Sequence, residues 1–117
     1  MRAYLRYEFF KDTLEHCGTF LLALDETEIG YHLFEEFDTD CCSFLHKACL
    51  SALLEDGYVN EEIYETALRL GTAFRALEDT PLWDPAAVCR EPAWREILEL
   101  GDRVKELVEK YESEQGS

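Results

Sequence analysis

The sequence predicts an all-α protein, a single domain folded as an irregular antiparallel bundle of about five helices. Three observations carry that expectation. Apolar residues recur at intervals of three and four along most of the chain, which is the period of one helix face. The gaps between those runs hold residues that start or stop helices: Asp25 and Asn60 before runs, Gly57 after one, and Pro81, Pro85 and Pro92 across an irregular stretch. No pair of alternating segments reads as a hairpin, and no internal repeat or glycine–serine linker divides the 117 residues. That length suits one domain, placed at 1–112 with a frayed tail at 113–117.

Residues 1–24 carry Leu5, Phe9, Phe10, Leu14, Cys17, Leu21 and Leu22 at helical spacing, predicting one long helix; residues 1–10 also read as the opening of a strand. Gly18 would lie inside that helix at a cost of about 1 kcal/mol relative to alanine, which close approach of another helix would justify. Asp25 caps a second helix, with Glu28 three residues on completing a capping-box arrangement, and Asp38-Thr39-Asp40 ends it. A third helix follows over 41–55. Cys41, Leu45, Ala48, Cys49 and Ala52 form its stripe, widened by Leu50, Leu53 and Leu54, so it should be the central helix. Gly57 closes it.

Asn60 caps a fourth helix running to about residue 79, with Ile63, Ala67, Leu70, Phe74 and Leu77 inward and Gly71 near the seam. Thr80-Pro81 stops it. Asp84-Pro85 opens a short helical turn and Glu91-Pro92 opens the last helix, whose inward residues include Trp94, Ile97, Leu98, Val104, Leu107, Val108 and Tyr111. Trp83 and Trp94 should plug the core where the proline stretch crosses the helices.

Charge is the distinctive feature. The chain holds 26 acids against 11 bases, a formal net charge of −15. Residues 25–40, DETEIGYHLFEEFDTD, contain seven carboxylates and no lysine or arginine, within a base-free span that begins at Asp12 and reaches His46. At ~100° per residue, Ile29, Leu33 and Phe37 share one face with Phe34 at its flank. Glu28, Tyr31, Glu35 and Asp38 gather on the other, and these four are the candidate partner-binding residues. A charge run ordinarily just faces water. The sharper reading is a docking surface: an acidic field speeds encounter with basic proteins, and an exposed tyrosine is a frequent interface anchor. The same charge repels nucleic acid and anionic membranes, so the favoured partner is a basic protein.

Nothing points to catalysis, and the expectation is no enzyme, no cofactor and no metal. Cys42, His46 and Cys49 fall at i, i+4, i+7, a spacing that can align three ligands on one helix, but no fourth ligand has a clear spacing. Cys17 follows His16, and neighbours on a helix point about 100° apart. The glycines are scattered singly, without a phosphate loop. Five cysteines at irregular spacing fit reduced thiols rather than a disulfide framework. The apolar run at 20–24 is too short for a membrane span or a secretory core, so a cytoplasmic protein is expected. Glu112, beside the tail, is expected to lie outside the docking surface, so that Glu112→Lys should do little to partner binding.

With Glu28, Tyr31, Glu35 and Asp38 on one helix of a small acidic all-α chain, the sequence resembles the bacterial immunity proteins of colicin and contact-dependent inhibition systems. Those inhibitors engage a basic toxin nuclease through helix-borne acids and tyrosines; here one tyrosine, Tyr31, stands where they carry two. The resemblance implies an inhibitor of a cognate basic toxin. A helical regulatory or adaptor protein for another basic protein is the alternative.

Overall fold

A computed structural model of the chain describes residues 2–116; Met1 and Ser117, the two ends of the expected domain and tail, lie outside them. The fold is all-α, and no strand occurs among the described residues. α1 spans Ala3–Leu14, so the first ten residues are helical from Ala3 rather than the start of a strand. The long helix expected over 1–24 breaks after Leu14. A turn at 15–18 leads into a 3-10 segment, Thr19–Ala23. The cause is tertiary. Asp102, far along the chain, accepts the Thr19 backbone N–H at 3.2 Å and its hydroxyl at 2.5 Å, which pulls Thr19 out of the helical path.

Two glycines allow this turn to sit tightly on the last helix. Gly18 is buried, and a Cβ there would meet the Asp102 carboxylate at 2.5 Å and the Lys105 amine at 2.6 Å. From the other side, a Cβ on Gly101 would collide with the Cys17 carbonyl. The close approach expected at Gly18 is real, but it is made by a turn and not by a helix interior.

The acidic segment forms one uninterrupted helical run: α2 Glu26–Ile29, a π-helical segment Gly30–Phe37, and α3 Asp38–Phe44. Asp25 caps it as expected, its carboxylate accepting the Glu28 N–H at 2.9 Å. The break expected at Asp38-Thr39-Asp40 does not occur. Asp38 keeps helical dihedrals, and the Thr39 hydroxyl donates back to the Glu35 carbonyl at 2.6 Å, an arrangement compatible with staying helical. The chain breaks at Leu45-His46 instead, where His46 Nδ1 accepts the Ala48 N–H at 3.1 Å and so caps α4, Lys47–Glu55.

That break divides the helix expected over 41–55 and rotates its second half. Leu45 is buried as expected, but Ala48 is exposed and Cys49 and Ala52 are half-buried, while Leu50 and Leu53 face the core. The kink fits here because Gly71 leaves a notch on the facing helix. A Cβ at Gly71 would stand 3.3 Å from both the Leu45 Cβ and its carbonyl oxygen. α4 closes in a Schellman arrangement: Gly57 takes φ +79, its N–H donates to the Leu54 carbonyl at 3.1 Å, and the Tyr58 N–H donates to the Leu53 carbonyl at 3.0 Å.

α5, Glu61–Ala76, starts at the Asn60 cap and ends three residues short of the expected limit at 79. α6, Pro85–Val88, begins at Asp84, and α7 runs over Pro92–Gln115. The residues expected to fray from 113 thus stay helical to Gln115. α5 and α7 make the most extensive packing in the molecule, so that pair is central rather than α4. Trp94 is fully buried, with its indole N–H donating to the Leu82 carbonyl at 2.6 Å. Around it Phe34, Phe74 and Trp83 pack mostly edge to face, a favourable aromatic geometry. No helix among the described residues is long and apolar enough to cross a membrane.

Candidate docking surface

The basic residues that form ion pairs are spent away from the acidic segment's outer face. Lys11 pairs with Glu112 and Glu8, Arg103 with Glu62 and Glu106, and Lys105 with Asp102. Arg75 alone reaches the segment, and it takes Asp38. Among the described residues no ion pair reaches Asp12, Glu15, Asp25, Glu26, Glu28, Glu35, Glu36 or Asp40.

Several of those free acids share one field. The Asp40 carboxyl is held above its ordinary range, first by burial, then by Glu36, with Asp12 adding to the repulsion and His16 opposing it. Asp12 lies on α1, and Glu36 and Asp40 lie on the acidic run. Folding therefore brings α1 into the surface that the sequence assigned to 25–40 alone.

Exposed aromatic rings accompany the acids. Tyr31 is 48% exposed, Phe20 42% and Phe9 41%. Tyr31 stands edge-on to His32 and to His16, with centroids 5.2 and 6.3 Å away, and Phe20 stands edge-on to His32 at 5.5 Å. The two imidazoles meet Nδ1 to Nδ1 at 3.0 Å and tie the turn after α1 to the π segment. Further along α1, Phe9 rests on Phe44 of α3 at 5.3 Å. The half-exposed rings are thus held by neighbours, with Asp12, Glu36 and Asp40 in the field of His16 and the Lys105 amine 5.2 Å from the Phe20 ring.

Of the four residues singled out from sequence, Glu28, Tyr31 and Glu35 are exposed. Asp38 is not free. Its carboxylate receives Arg75 Nη1 at 2.7 Å and its carbonyl receives Arg75 Nη2 at 2.7 Å, fastening α3 to α5. The π segment, whose hydrogen bonds span five residues instead of four, keeps Ile29, Leu33 and Phe37 buried and Tyr31 exposed beside His16 and His32, as the wheel expects. Sequence reasoning missed Asp12, Glu36, Asp40, Phe9 and Phe20 as members of this surface. The available signal was the base-free span itself, which starts at Asp12 and not at Asp25.

The Cys42, His46, Cys49 alignment dissolves at the Leu45-His46 kink, since His46 Nδ1 is occupied in capping α4. Among the described residues, no group of three or more His, Cys, Asp or Glu side chains is arranged to hold a metal ion. Cys17 is fully buried, which pushes its thiol far above the ordinary range, and burial pushes Cys41 up to about 11. The thiolate is the reactive form of a cysteine, and burial disfavours it at both positions. Compared with protein-family models, curated proteins and solved structures, the chain finds no match in any of the three.

Proposed function

We propose that this protein is an immunity protein that binds and neutralises a cognate basic bacterial toxin, a nuclease by the type it resembles, and that it does so without catalysis. The observation that carries the reading is the surface on which unpaired carboxylates border half-exposed aromatic rings. A nuclease must present basic side chains to phosphates, and an acidic surface competes for the same groups. Carboxylates at the rim set the encounter rate and its salt dependence, while a central aromatic ring contributes most of the affinity. Tyr31 is the ring best suited to that part, because its edge contacts with His16 and His32 already restrict its rotamers and reduce the ordering cost of binding. Glu28, Glu35, Glu36 and Asp40 supply the rim.

The experiment is co-expression with the product of the adjacent gene, scored for rescue of growth. Wild-type protein should rescue, and Glu99→Lys on the exposed side of α7 should rescue as well. Tyr31→Ala should weaken binding by about 2 kcal/mol or more with the helical circular dichroism intact, and Glu35→Lys should slow association. Growth arrest that persists with the wild-type chain present would refute the toxin reading. A complex with a harmless basic protein would favour a regulatory or adaptor role for the same surface.

A further inference from the structure

We propose that His16 and His32 form a two-nitrogen site for a divalent first-row transition ion of the kind imidazole prefers, such as nickel, copper or zinc. The reading concerns the free chain and does not depend on the proposed toxin. It starts from a distance. The two Nδ1 atoms lie 3.0 Å apart, on residues sixteen positions apart in sequence. A metal–nitrogen bond of about 2.0–2.1 Å at an angle between square and tetrahedral spans two nitrogens about 2.9–3.4 Å apart. The separation therefore matches the bite of a chelate, with the two nitrogens hydrogen-bonded in the absence of an ion.

The ring planes are inclined by 37°, and to share an ion the rings turn about their terminal torsions until both Nδ1 lone pairs meet at one apex. Such terminal torsions are broad and inexpensive to turn. Both residues are half-buried, so neither ring is sealed from solvent. On the flanks, the edges of Phe20 and Tyr31 confine the His32 ring. A bridge between the turn after α1 and the π segment would be preorganised by the packing of both elements.

The acids near the pair favour a dication, against the Lys105 amine, which stands 5.2 Å from the Phe20 ring. The Asp40 carboxylate lies within the field of His16, together with Glu36 and Asp12, and none of the three acids has a basic partner among the described residues. They act as a surrounding negative field and not as ligands, since no third donor converges on the point. Borderline ions distinguish such a site from a calcium or magnesium site, which would need oxygen donors.

The test is calorimetric titration of the full chain with nickel chloride. One site is expected, and His16→Gln and His32→Gln should each weaken it by about tenfold or more, with circular dichroism confirming that both variants fold. His46→Gln should leave it unchanged, because that imidazole is engaged in the α4 cap. Cys42→Ser and Cys89→Ser, which remove the two exposed thiols, should also leave it unchanged. Binding that survives both the His16 and His32 substitutions, or that disappears with the thiols, would overturn the proposal. So would wild-type affinity no greater than that of His16→Gln, which would mean that the pair is only a hydrogen-bonded tie.

Discussion

Asp38 and Asp40 stand two positions apart on α3 and meet opposite surroundings. Asp38 is held by Arg75 through a side-chain and a backbone contact. Asp40 is crowded by burial and by Glu36 and Asp12. Asp38→Asn should therefore lower stability by about 1 kcal/mol or less, as for a part-exposed pair, and leave partner affinity nearly unchanged. Asp40→Asn should raise the urea midpoint at pH 7, because its ionised form is the one folding disfavours, and should slow association with a basic partner. If Asp40→Asn instead lowered the midpoint, the acids would not be in mutual strain.

Glu112 shows the opposite sign. It accepts the Tyr7 hydroxyl at 2.7 Å and the Lys11 amine at 2.9 Å, and these bonds, Lys11 first, hold its carboxyl below the ordinary 4.5. A depressed carboxylate contributes stability above the unfolded value and loses it as pH falls through the folded one. Urea midpoints measured from pH 7 down to pH 3 should fall less steeply below 4.5 in Glu112→Gln than in the wild type. Asp40, raised from 3.8, works against that loss, since its protonation relieves repulsion. Equal slopes in the two proteins would show that the Tyr7–Glu112–Lys11 link contributes nothing to the acid limb.

At the scale of elements, two glycines separate packing from propensity. Gly101 lies within α7 beneath the Cys17 carbonyl, where a methyl group has no room. Gly101→Ala should destabilise by about 1–3 kcal/mol, the usual cost of overpacking, in spite of alanine's better helix propensity. Gly30 lies at the start of the π segment with right-handed helical dihedrals, and a Cβ there would meet only the Pro85 ring at an ordinary 3.6 Å. Gly30→Ala should therefore be neutral or stabilising by up to about 1 kcal/mol. Denaturant titration of the two variants gives the comparison. A stabilised Gly101→Ala would mean that the turn at 15–18 does not press on α7. Along the acidic run Ile29, Leu33, Phe37 and Cys41 all remain buried through the π segment.

For the whole molecule, the excess of 15 negative charges is only partly neutralised, and where α1 meets the acidic run Asp12, Glu36 and Asp40 share one field without an ion pair among the described residues. Association with a basic partner should therefore slow steeply as ionic strength rises, because exposed charges are screened beyond a Debye length of about 10 Å at 0.1 M salt. Dissociation should change much less, being set by the aromatic contacts. Stopped-flow rates across a salt series test this. Association that ignores salt would separate binding from the acidic surface altogether.

What the chain declared by itself is what short-range physics controls. Asp25, Asn60, Asp84 and Gly57 each satisfy backbone groups within a few positions, so their caps and stops were legible. The apolar period likewise identified the all-α class and the inward faces of α5 and α7. Exposure of Glu28, Tyr31 and Glu35 followed from that period too. Tertiary structure decided the rest, because the deciding partners are distant in sequence. Thr19 leaves the helix for Asp102, 83 residues away; Asp38 is captured by Arg75, 37 residues away; His16 finds His32, 16 residues away. No helical wheel contains those distances. A carboxylate looks the same in sequence whether a guanidinium will reach it or not, and only the packing of α3 on α5 and of α1 on the acidic run determines which acids stay free.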